Sequence, residues 1–298
     1  MSAKGHPILA VIAILAGIGL FLGLVLTFVF SVADPSKAFS LREKVGVIPI
    51  EGTITESDTL VAQLVEFKKD RKIKAIILRI NSPGGGVGPS QEIHREIRKT
   101  IKSKKVIASL GGLAASGGYY VACAANQIVA NPGTLAGSIG VIMEFVQAEE
   151  LLKKIGVGVE VLKTGEFKDI GSFHRKLSEG DREMIRAVVF DVQKQFVEAV
   201  AQGRNLPVEK VRDIADGRIL SGARCKELGL VDQLGNFEDA VELARTMAGI
   251  KGEVTLVYPR KPRSKWWDLF LQNTSKALCR GLRDALMLRL EYRWDALS

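Results

Sequence analysis

The feature that most constrains the fold is a short apolar run that leads into a glycine-rich loop. Residues 73–80 read IKAIILRI, and residues 81–88 read NSPGGGVG. A run of this length, rich in β-branched side chains and bounded by turn residues, is typical of a strand that is buried on both faces. Such strands occur in parallel sheets that helices cover on both sides, so the sequence predicts an α/β domain.

The neighbouring segments continue this alternation of strands and helices. Strands are predicted at 44–52, at 105–110, as a pair within 127–142, at 154–163 and at 253–258. Helices are predicted at 58–70, 90–102, at the start of 148–163, and at 178–202, 207–215, 222–229 and 236–249. The longest helix is expected to begin at a cap formed by Ser178 and Asp181. Strands that alternate with helices indicate βαβ units with parallel strands.

An uncharged segment near the N-terminus predicts a membrane anchor. Residues 7–33 contain no charged side chain, and the apolar run within them is about 25 residues long, against about 20 needed to cross the hydrocarbon core. A cleaved signal peptide is the alternative, although its apolar region is typically only about 7–15 residues long. The flanking charges do not decide the orientation.

The chain therefore divides into five parts. They are an N-terminal tail at 1–6, a transmembrane anchor at 7–33, a polar connector at 34–43, the main domain at 44–260 and a C-terminal tail at 261–298.

The C-terminal tail mixes aromatic and aliphatic residues with basic ones. Leu278, Leu282, Leu286 and Leu290 recur at helical spacing, which predicts an amphipathic helix. The helix would lie on anionic lipid or pack on a neighbouring subunit, and a disordered tail is the third alternative.

Charge and cysteine content give little support for nucleic-acid binding or metal binding. The formal net charge is +9, which alone is weak evidence for nucleic-acid binding. The three cysteines, Cys123, Cys225 and Cys279, are odd in number and widely spaced, so they indicate neither a disulfide framework nor a metal site. We therefore expect no nucleic-acid partner and no metal.

A serine set among small residues is the candidate nucleophile. Residues 114–120 read AASGGYY, which places Ser116 at the start of a predicted helix, beside the N–H of Gly117. A helix N-terminus favours developing negative charge, and the glycines at 84–86 can present N–H groups that stabilise an oxyanion. The alternatives are a serine that only caps the helix, a tight turn at 84–86, and a phosphate cradle, although the loop lacks the Lys-Ser/Thr ending of a Walker motif.

A serine nucleophile needs a base, and the chain has only three histidines. His6 precedes the apolar segment, while His94 and His174 are both expected on the surface, with His174 the better candidate. A lysine can take this role if its pKa falls from about 10.4 to about 7–8. Lys168, in GEFKDIGS, follows a predicted strand and a turn, but spacing alone does not select it from the other lysines.

Five segments in order make the chain resemble the signal peptide peptidase A family, in its short, single-repeat form. They are RINSPGGGV at 79–87, AASGGYYVACAAN at 114–126, NPGTLAGSIGV at 131–141, TGEFKDIGS at 164–172 and DGRILSGARCKELGLVDQLG at 216–235. The glycine loop is also similar to that of the wider group of the Clp protease subunit and the crotonases. This resemblance implies an α/β fold of repeated ββα units.

The resemblance implies a role for each matching residue. Ser116 matches the nucleophile, Lys168 the general base, Ser138 a serine that orients this lysine, and Gly85 and Gly117 the oxyanion-hole donors. It further implies a membrane-anchored serine endopeptidase that needs no cofactor and degrades remnant signal peptides or other apolar peptides. Such a protein would form a homo-oligomer with active sites shared between neighbours.

The same resemblance places the protein in a cell membrane with a single span, its catalytic domain outside the cytoplasm and membrane lipid as a partner. Two other functions stay open on the sequence. One is a catalytically silent membrane scaffold of the same fold, and the other is a crotonase-like acyl-CoA enzyme that uses the glycine loop for a thioester oxyanion.

Overall fold

The computed structural model describes residues 7–32, 43–259 and 290–293, in two units that divide between Glu43 and Lys44. The first unit contains helix α1, Pro7–Val32, whose sequence holds no charged residue. Of this helix the structure describes the side chains of residues 15–27. Within the described part of the chain, no helix is both long and apolar enough to cross a membrane. The anchor predicted over 7–33 is therefore not confirmed.

The second unit begins at Lys44 and combines a mainly parallel sheet with helices. Its strands are β1 (Lys44–Glu51), β2 (Ile73–Ser82), β3 (Gly84–Gly86), β4 (Lys105–Ala115), β5 (Gln127–Ala130), β6 (Leu135–Gly137), β7 (Ile142–Met143), β8 (Ile219–Ser221), β9 (Gln233–Leu234), β10 (Thr255–Val257) and β11 (Leu290–Arg293). Its α-helices are α2 (Asp58–Lys69), α3 (Val87–Thr100), α4 (Gly117–Ala122), α5 (Glu149–Lys154), α6 (Glu179–Arg204), α7 (Val208–Arg212), α8 (Gly222–Leu228) and α9 (Phe237–Met247). A 3₁₀ helix spans Glu166–Asp169.

The main sheet has the parallel arrangement that the sequence predicts. Its strands follow the order β10-β1-β2-β4-β5-β9, and each neighbouring pair along this path is parallel. Strand β6 pairs in parallel with the end of β4, and β8 pairs with β6 antiparallel. The predicted α/β fold class is confirmed.

Alternate residues of β2 pack into two separate apolar clusters. Ile76 and Leu78 belong to the cluster that α2, α3 and α4 cover, whereas Ala75 and Ile77 belong to the cluster that α9 covers. All four side chains are fully buried. Burial of each isoleucine stabilises the fold by roughly 1.5–3 kcal/mol, so packing from both sides fixes the central strand.

The predicted helices at 58–70, 90–102 and 178–202 are confirmed within a few residues. The predicted cap of the longest one is confirmed as well. The N–H of Asp181 donates to Ser178 Oγ at 3.1 Å, and the N–H of Ser178 donates to Asp181 Oδ2 at 2.9 Å. This reciprocal capping box satisfies two backbone donors at the start of α6.

The strand predicted at 154–163 is wrong. Helix α5 ends at Lys154, and the residues that follow form no strand. Val157, Val159 and Val161 do alternate, but each is at least 40% exposed. A strand is stabilised by pairing with another strand. Among the described residues no strand lies beside this segment, so its alternating valines do not form one.

The C-terminal tail departs from its predicted helix at Leu290. Residues Leu290–Arg293 form β11, which pairs antiparallel with β3 on one side and with β7 on the other. Edge strands present unpaired backbone groups, and a third strand satisfies those of β3 and β7. The other positions of the predicted helix, 261–289, lie outside the described residues.

Candidate active site

Ser116 lies where β4 meets α4, in a conformation that serine rarely adopts. Its backbone angles are φ 51° and ψ −116°, and its side chain makes no capping hydrogen bond to the helix. The residue is 1% exposed. The interpretation of Ser116 as a simple helix cap is therefore wrong, and its hydroxyl is available for another role.

Backbone strain sets two serines apart. The non-glycine residues with positive φ in the described ranges are Ser116, Ser138 and Asn205. Asn205 ends α6 in the left-handed conformation, which is a common way to end a helix. Ser116 and Ser138 have no such explanation. Strained residues of this kind cost about 1–3 kcal/mol each and cluster at functional sites.

The sheet brings these two serines to one edge. Strands β4 and β6 are parallel, with Ala115 opposite Gly137, so Ser116 and Ser138 each follow a paired residue. The N–H of Ser116 donates to the carbonyl oxygen of Gly137 at 2.8 Å. Because parallel strands end at the same edge of a sheet, the two residues that follow this pair are neighbours.

Helix α4 is packed closely against the glycine-rich loop. A Cβ atom on Gly118 would lie 2.8 Å from the carbonyl oxygen of Ser82, so only glycine permits this approach. The buried hydroxyl of Tyr119 donates to the carbonyl of Leu230 at 2.7 Å and holds the helix from the other side. The N–H of Gly117, at the start of α4, therefore lies close to the loop that holds Gly85.

The loop itself is held by backbone and side-chain hydrogen bonds. The N–H of Ile54 donates to Gly84 O, and the N–H of Gly86 donates to Ile54 O, both at 2.8 Å. Ser82 Oγ accepts from the N–H of Gly84 at 3.1 Å. Since successive residues of a strand direct their N–H groups to opposite sides, the N–H of Gly85 points away from Ile54, toward the side on which β11 lies.

A cavity of about 800 Å³ opens beside Ser138. Much of its wall is apolar. Among its lining residues are Ser138, Val141, Ile142, Val189, Phe190 and Val208. Since Ile142 begins β7, this cavity lies next to the strand that pairs with β11.

The structure does not join Lys168 to the serines. Lys168 lies exposed in the 3₁₀ helix Glu166–Asp169. Among the described residues, its Nζ makes no hydrogen bond or ion pair, either with Ser116 or with Ser138. Ser116, Gly117, Ser138 and the loop of Gly85 thus form one group, and Lys168 stands apart from it within a single copy of the chain.

The histidines offer no base to Ser116. His94 packs on Tyr120 with ring centroids 4.8 Å apart, and its Nε2 has no hydrogen-bond partner among the described residues. Burial, and then the charge of Arg98, lowers the pKa of His94 to about 4. The ring of His174 contacts Phe173. In the part of the chain that is described, no hydrogen bond links either imidazole to Ser116.

Two cysteines are buried inside the domain. Cys123 and Cys225 are both free, and burial raises the pKa of each thiol to about 12. Thiols that stay protonated are poor nucleophiles, so these residues serve packing. Cys279 lies outside the described residues.

Comparisons with protein families identify the family of this chain. A sequence model of Peptidase family S49 matches residues 98–251, a range that includes Ser116, Ser138 and Lys168. The chain belongs to peptidase family S49. A model of Clp protease matches residues 37–133, which contain the glycine-rich loop and Ser116. As an S49 member the chain is a serine peptidase.

Relatives of this S49 peptidase include proteins of bacteria, an archaeon and a plant. The protein slr0021 of Synechocystis sp., named as a candidate protease, is 45% identical over 228 residues, which are 75% of this chain and 82% of the relative. Protease 4 of Salmonella typhi is 40% identical over 195 residues, 65% of this chain and 31% of the relative. The chloroplastic serine protease SPPA of Arabidopsis thaliana is 34% identical over 233 residues, 77% of this chain and 34% of the relative. The match therefore spans about a third of the two longer relatives.

Sequence reasoning missed a charged cluster around the 3₁₀ helix of this S49 peptidase. Arg175 donates to both Asp169 and Asp181, and Lys163 also donates to Asp169. The adjacency of Lys168 and Asp169 was visible in the sequence, but the partner of Asp169 depends on side-chain packing. Sequence reasoning also missed β11, because strand pairing between distant segments leaves little local signal.

Proposed function

We propose that this chain is a membrane-anchored serine endopeptidase in which Ser116 is the nucleophile and Lys168 the general base. One observation carries the proposal: Ser116 is buried and strained at the end of β4, at the N-terminus of α4 and beside the glycine-rich loop. A catalytically silent scaffold would have no use for this strain. The position is that of a nucleophile on a sharp strand-to-helix turn.

The reaction follows from the groups around this serine. Neutral Lys168 Nζ takes the proton of Ser116 Oγ as the oxygen attacks a peptide carbonyl, and the oxyanion accepts hydrogen bonds from the N–H groups of Gly85 and Gly117. The lysine ammonium then gives its proton to the leaving amine. Water, activated by the same lysine, hydrolyses the acyl-enzyme. Ser138 orients Lys168, and its position beside Ser116 supports this role.

The pairing of β11 favours a peptide as the substrate. This strand lies antiparallel to β3 and β7, so an extended backbone fits beside Gly85. Addition of a strand to exposed edges is a common mode of peptide recognition. The apolar cavity beside β7 would accept an apolar side chain, which supports signal-peptide-like segments as substrates. An acyl-CoA has no extended peptide backbone that could pair with the edges of β3 and β7.

We assign the completion of the dyad to a second copy of the chain. Residues 146–173 expose a series of large apolar side chains: Val146, Leu151, Ile155, Val157, Val159, Val161, Leu162, Phe167 and Phe173. Exposed apolar surface of this extent is typical of an interaction site. Lys168 lies within this segment and lacks contact with the serine of its own chain, so it would reach Ser116 of a neighbour in a homo-oligomer.

The anchor and location rest on the sequence. The segment at 7–33 carries no charge, and its apolar run of about 25 residues is the basis for proposing an anchor. A short N-terminal tail before it would leave the catalytic domain outside the cytoplasm. Apolar peptides left in the membrane after signal-peptide cleavage would then lie within reach. Protease accessibility of the domain in intact and in opened cells tests this orientation.

Co-expression of two inactive variants tests the shared site. Ser116→Ala lacks the nucleophile and Lys168→Ala lacks the base, so each alone should fail to cleave an internally quenched apolar peptide. In mixed oligomers formed at random, roughly a quarter of the junctions would join an intact serine to an intact lysine, and about that share of wild-type activity should return. A mixture that stays inactive although the two variants co-purify would contradict sharing between copies.

A further inference from the structure

An ion-pair cluster holds the turn that carries Lys168. Arg175 Nη2 donates to Asp169 Oδ1 at 2.8 Å, and its Nε donates to Asp169 Oδ2 at 3.0 Å. Lys163 Nζ donates to the same Asp169 Oδ1 at 2.8 Å. Both carboxylate oxygens of Asp169 are thus engaged by cations. The Asp169 side chain is 10% exposed, so this pair is better shielded from water than an ordinary surface ion pair.

Arg175 also connects the turn to the long helix. Its Nη1 donates to Asp181, whose side chain is 3% exposed and forms the capping box of α6. Phe167 packs on the first turn of α6, where it lies 3.7 Å from the Cβ position of Gly180. One guanidinium therefore fastens the 3₁₀ helix to a rigid element of the domain.

The hydrogen bonds of this cluster strongly favour its charged forms. Those from Arg175 and Lys163 hold the pKa of Asp169 well below its usual range. The hydrogen bond from Arg175 is also the main cause that lowers the pKa of Asp181 to about 2. The positive charges of Arg175 and Lys163 then balance the negative charges of the two aspartates, so the cluster has no net charge at neutral pH.

This balance matters because Asp169 directly follows Lys168. A free carboxylate within about 4–6 Å of an ammonium favours the charged lysine and raises its pKa by about 1–3 units. A general base must instead be neutral near working pH.

Other charged or titratable groups on this turn and on the elements packed around it are Glu166, His174, Lys176, Glu179, Glu149, Glu150 and Lys153. Lys176 pairs with Glu150, and Lys153 with Glu149.

We propose that Arg175 is a positioning residue for the base: it keeps the carboxylate of Asp169 away from Lys168 and fixes the lysine turn on α6. This inference rests on the proposed role of Lys168. It makes Arg175 a determinant of the pH at which the peptidase works, in addition to any contribution to the fold.

The test compares pH profiles of the full chain, purified in detergent, with an internally quenched apolar peptide as substrate. In Arg175→Ala only Lys163 still pairs with Asp169, at Oδ1, so Oδ2 is released and can approach Lys168. The acid limb of kcat/KM should therefore move by about one pH unit to higher pH. Activity at pH 7 should fall about tenfold and recover at higher pH. Arg175→Lys, which keeps a positive charge on a single nitrogen, should shift the profile less.

The double variant Arg175→Ala with Asp169→Asn separates the two effects of the arginine. It lacks the clamp but also lacks the competing carboxylate, so its acid limb should return toward that of the wild type. Arg245→Ala removes an exposed ion pair with Glu242 on α9 and serves as the matched control, with an unchanged profile. Thermal unfolding of each variant monitors the fold.

Two results would overturn the inference. One is a uniform loss of activity in Arg175→Ala with an unmoved acid limb, which indicates a purely structural arginine. The other is a shifted limb that the double variant does not restore. Failure of the proposed function is distinguishable, because Lys168→Ala would then keep wild-type activity.

Discussion

A Cβ atom on Gly85 would lie 2.2 Å from the carbonyl oxygen of Ile54 and 2.6 Å from its amide nitrogen. The Ile54 backbone occupies this space because it bonds to both neighbours of Gly85. Gly85 is therefore required by a backbone contact on one side, while its N–H is directed to the other side, where the oxyanion would form. The loop cannot accept a side chain here without moving that donor.

Gly85→Ala should lower kcat for peptide cleavage at least about 100-fold, since loss of one oxyanion donor has effects of this size. Gly88→Ala is the matched control. A Cβ on Gly88 would meet no atom within 4 Å, and alanine is the better residue in the first turn of α3. Equal activity of Gly85→Ala and the wild type would show that this loop has no part in catalysis.

Because the backbone of Ser116 is strained, replacement by glycine should give a more stable protein than replacement by alanine. Because glycine adopts positive φ without penalty, Ser116→Gly should be more stable than Ser116→Ala by about 1 kcal/mol, although both are inactive. Ser90, inside helix α3, provides the control, because there alanine should be more stable than glycine. Denaturant titration of the four variants measures both differences. The same order at the two positions would contradict the account of strain.

The partly buried ring of His94 should make the folded protein less stable in acid. Its pKa is lowered to about 4, so below its ordinary value of 6.5 the unfolded chain binds a proton that the folded chain does not. The contribution is fully present above pH 6.5, and it declines as the pH falls to about 4, by at most about 3 kcal/mol. His94→Phe keeps a ring against Tyr120 and should remove this part of the pH dependence. Parallel pH curves for the variant and the wild type would contradict the assignment.

Strand β11 predicts that the C-terminal segment competes with substrate. Leu290–Arg293 pair with Gly84–Gly86, the backbone beside which we place the substrate. A segment of the same chain competes at an effective concentration that is often millimolar. Deletion of residues 290–298 should therefore lower KM several-fold with little change in kcat. Tyr292→Pro, which removes the backbone donor opposite Gly85, should act in the same direction, and an unchanged KM in both variants would exclude competition.

The sheet could be predicted from sequence because its signal is local. The run at 73–80 carries its own periodicity, and both faces of β2 are buried as that pattern requires. The valines at 157, 159 and 161 carry a similar signal, yet they form no strand. Alternation predicts an extended backbone but not a partner strand, and only pairing makes a strand.

The site could be predicted in part, for the same physical reason. Small residues around Ser116 and the glycines at 84–86 are visible in the sequence, because close backbone approach excludes larger side chains. The choice of Lys168 came from resemblance alone. Its clamp by Arg175 depends on side-chain geometry across a turn, which no local pattern encodes.

The most direct test of the central claim is the rate and position of labelling by a fluorophosphonate probe on the full chain. We predict a single adduct on Ser116, no adduct in Ser116→Ala, and labelling of Lys168→Ala that is about 10²–10⁴-fold slower, as loss of a general base requires. Lys251→Ala, at an exposed lysine outside the site, should label at the wild-type rate. An adduct on another residue, or a wild-type rate in Lys168→Ala, would contradict the serine–lysine mechanism.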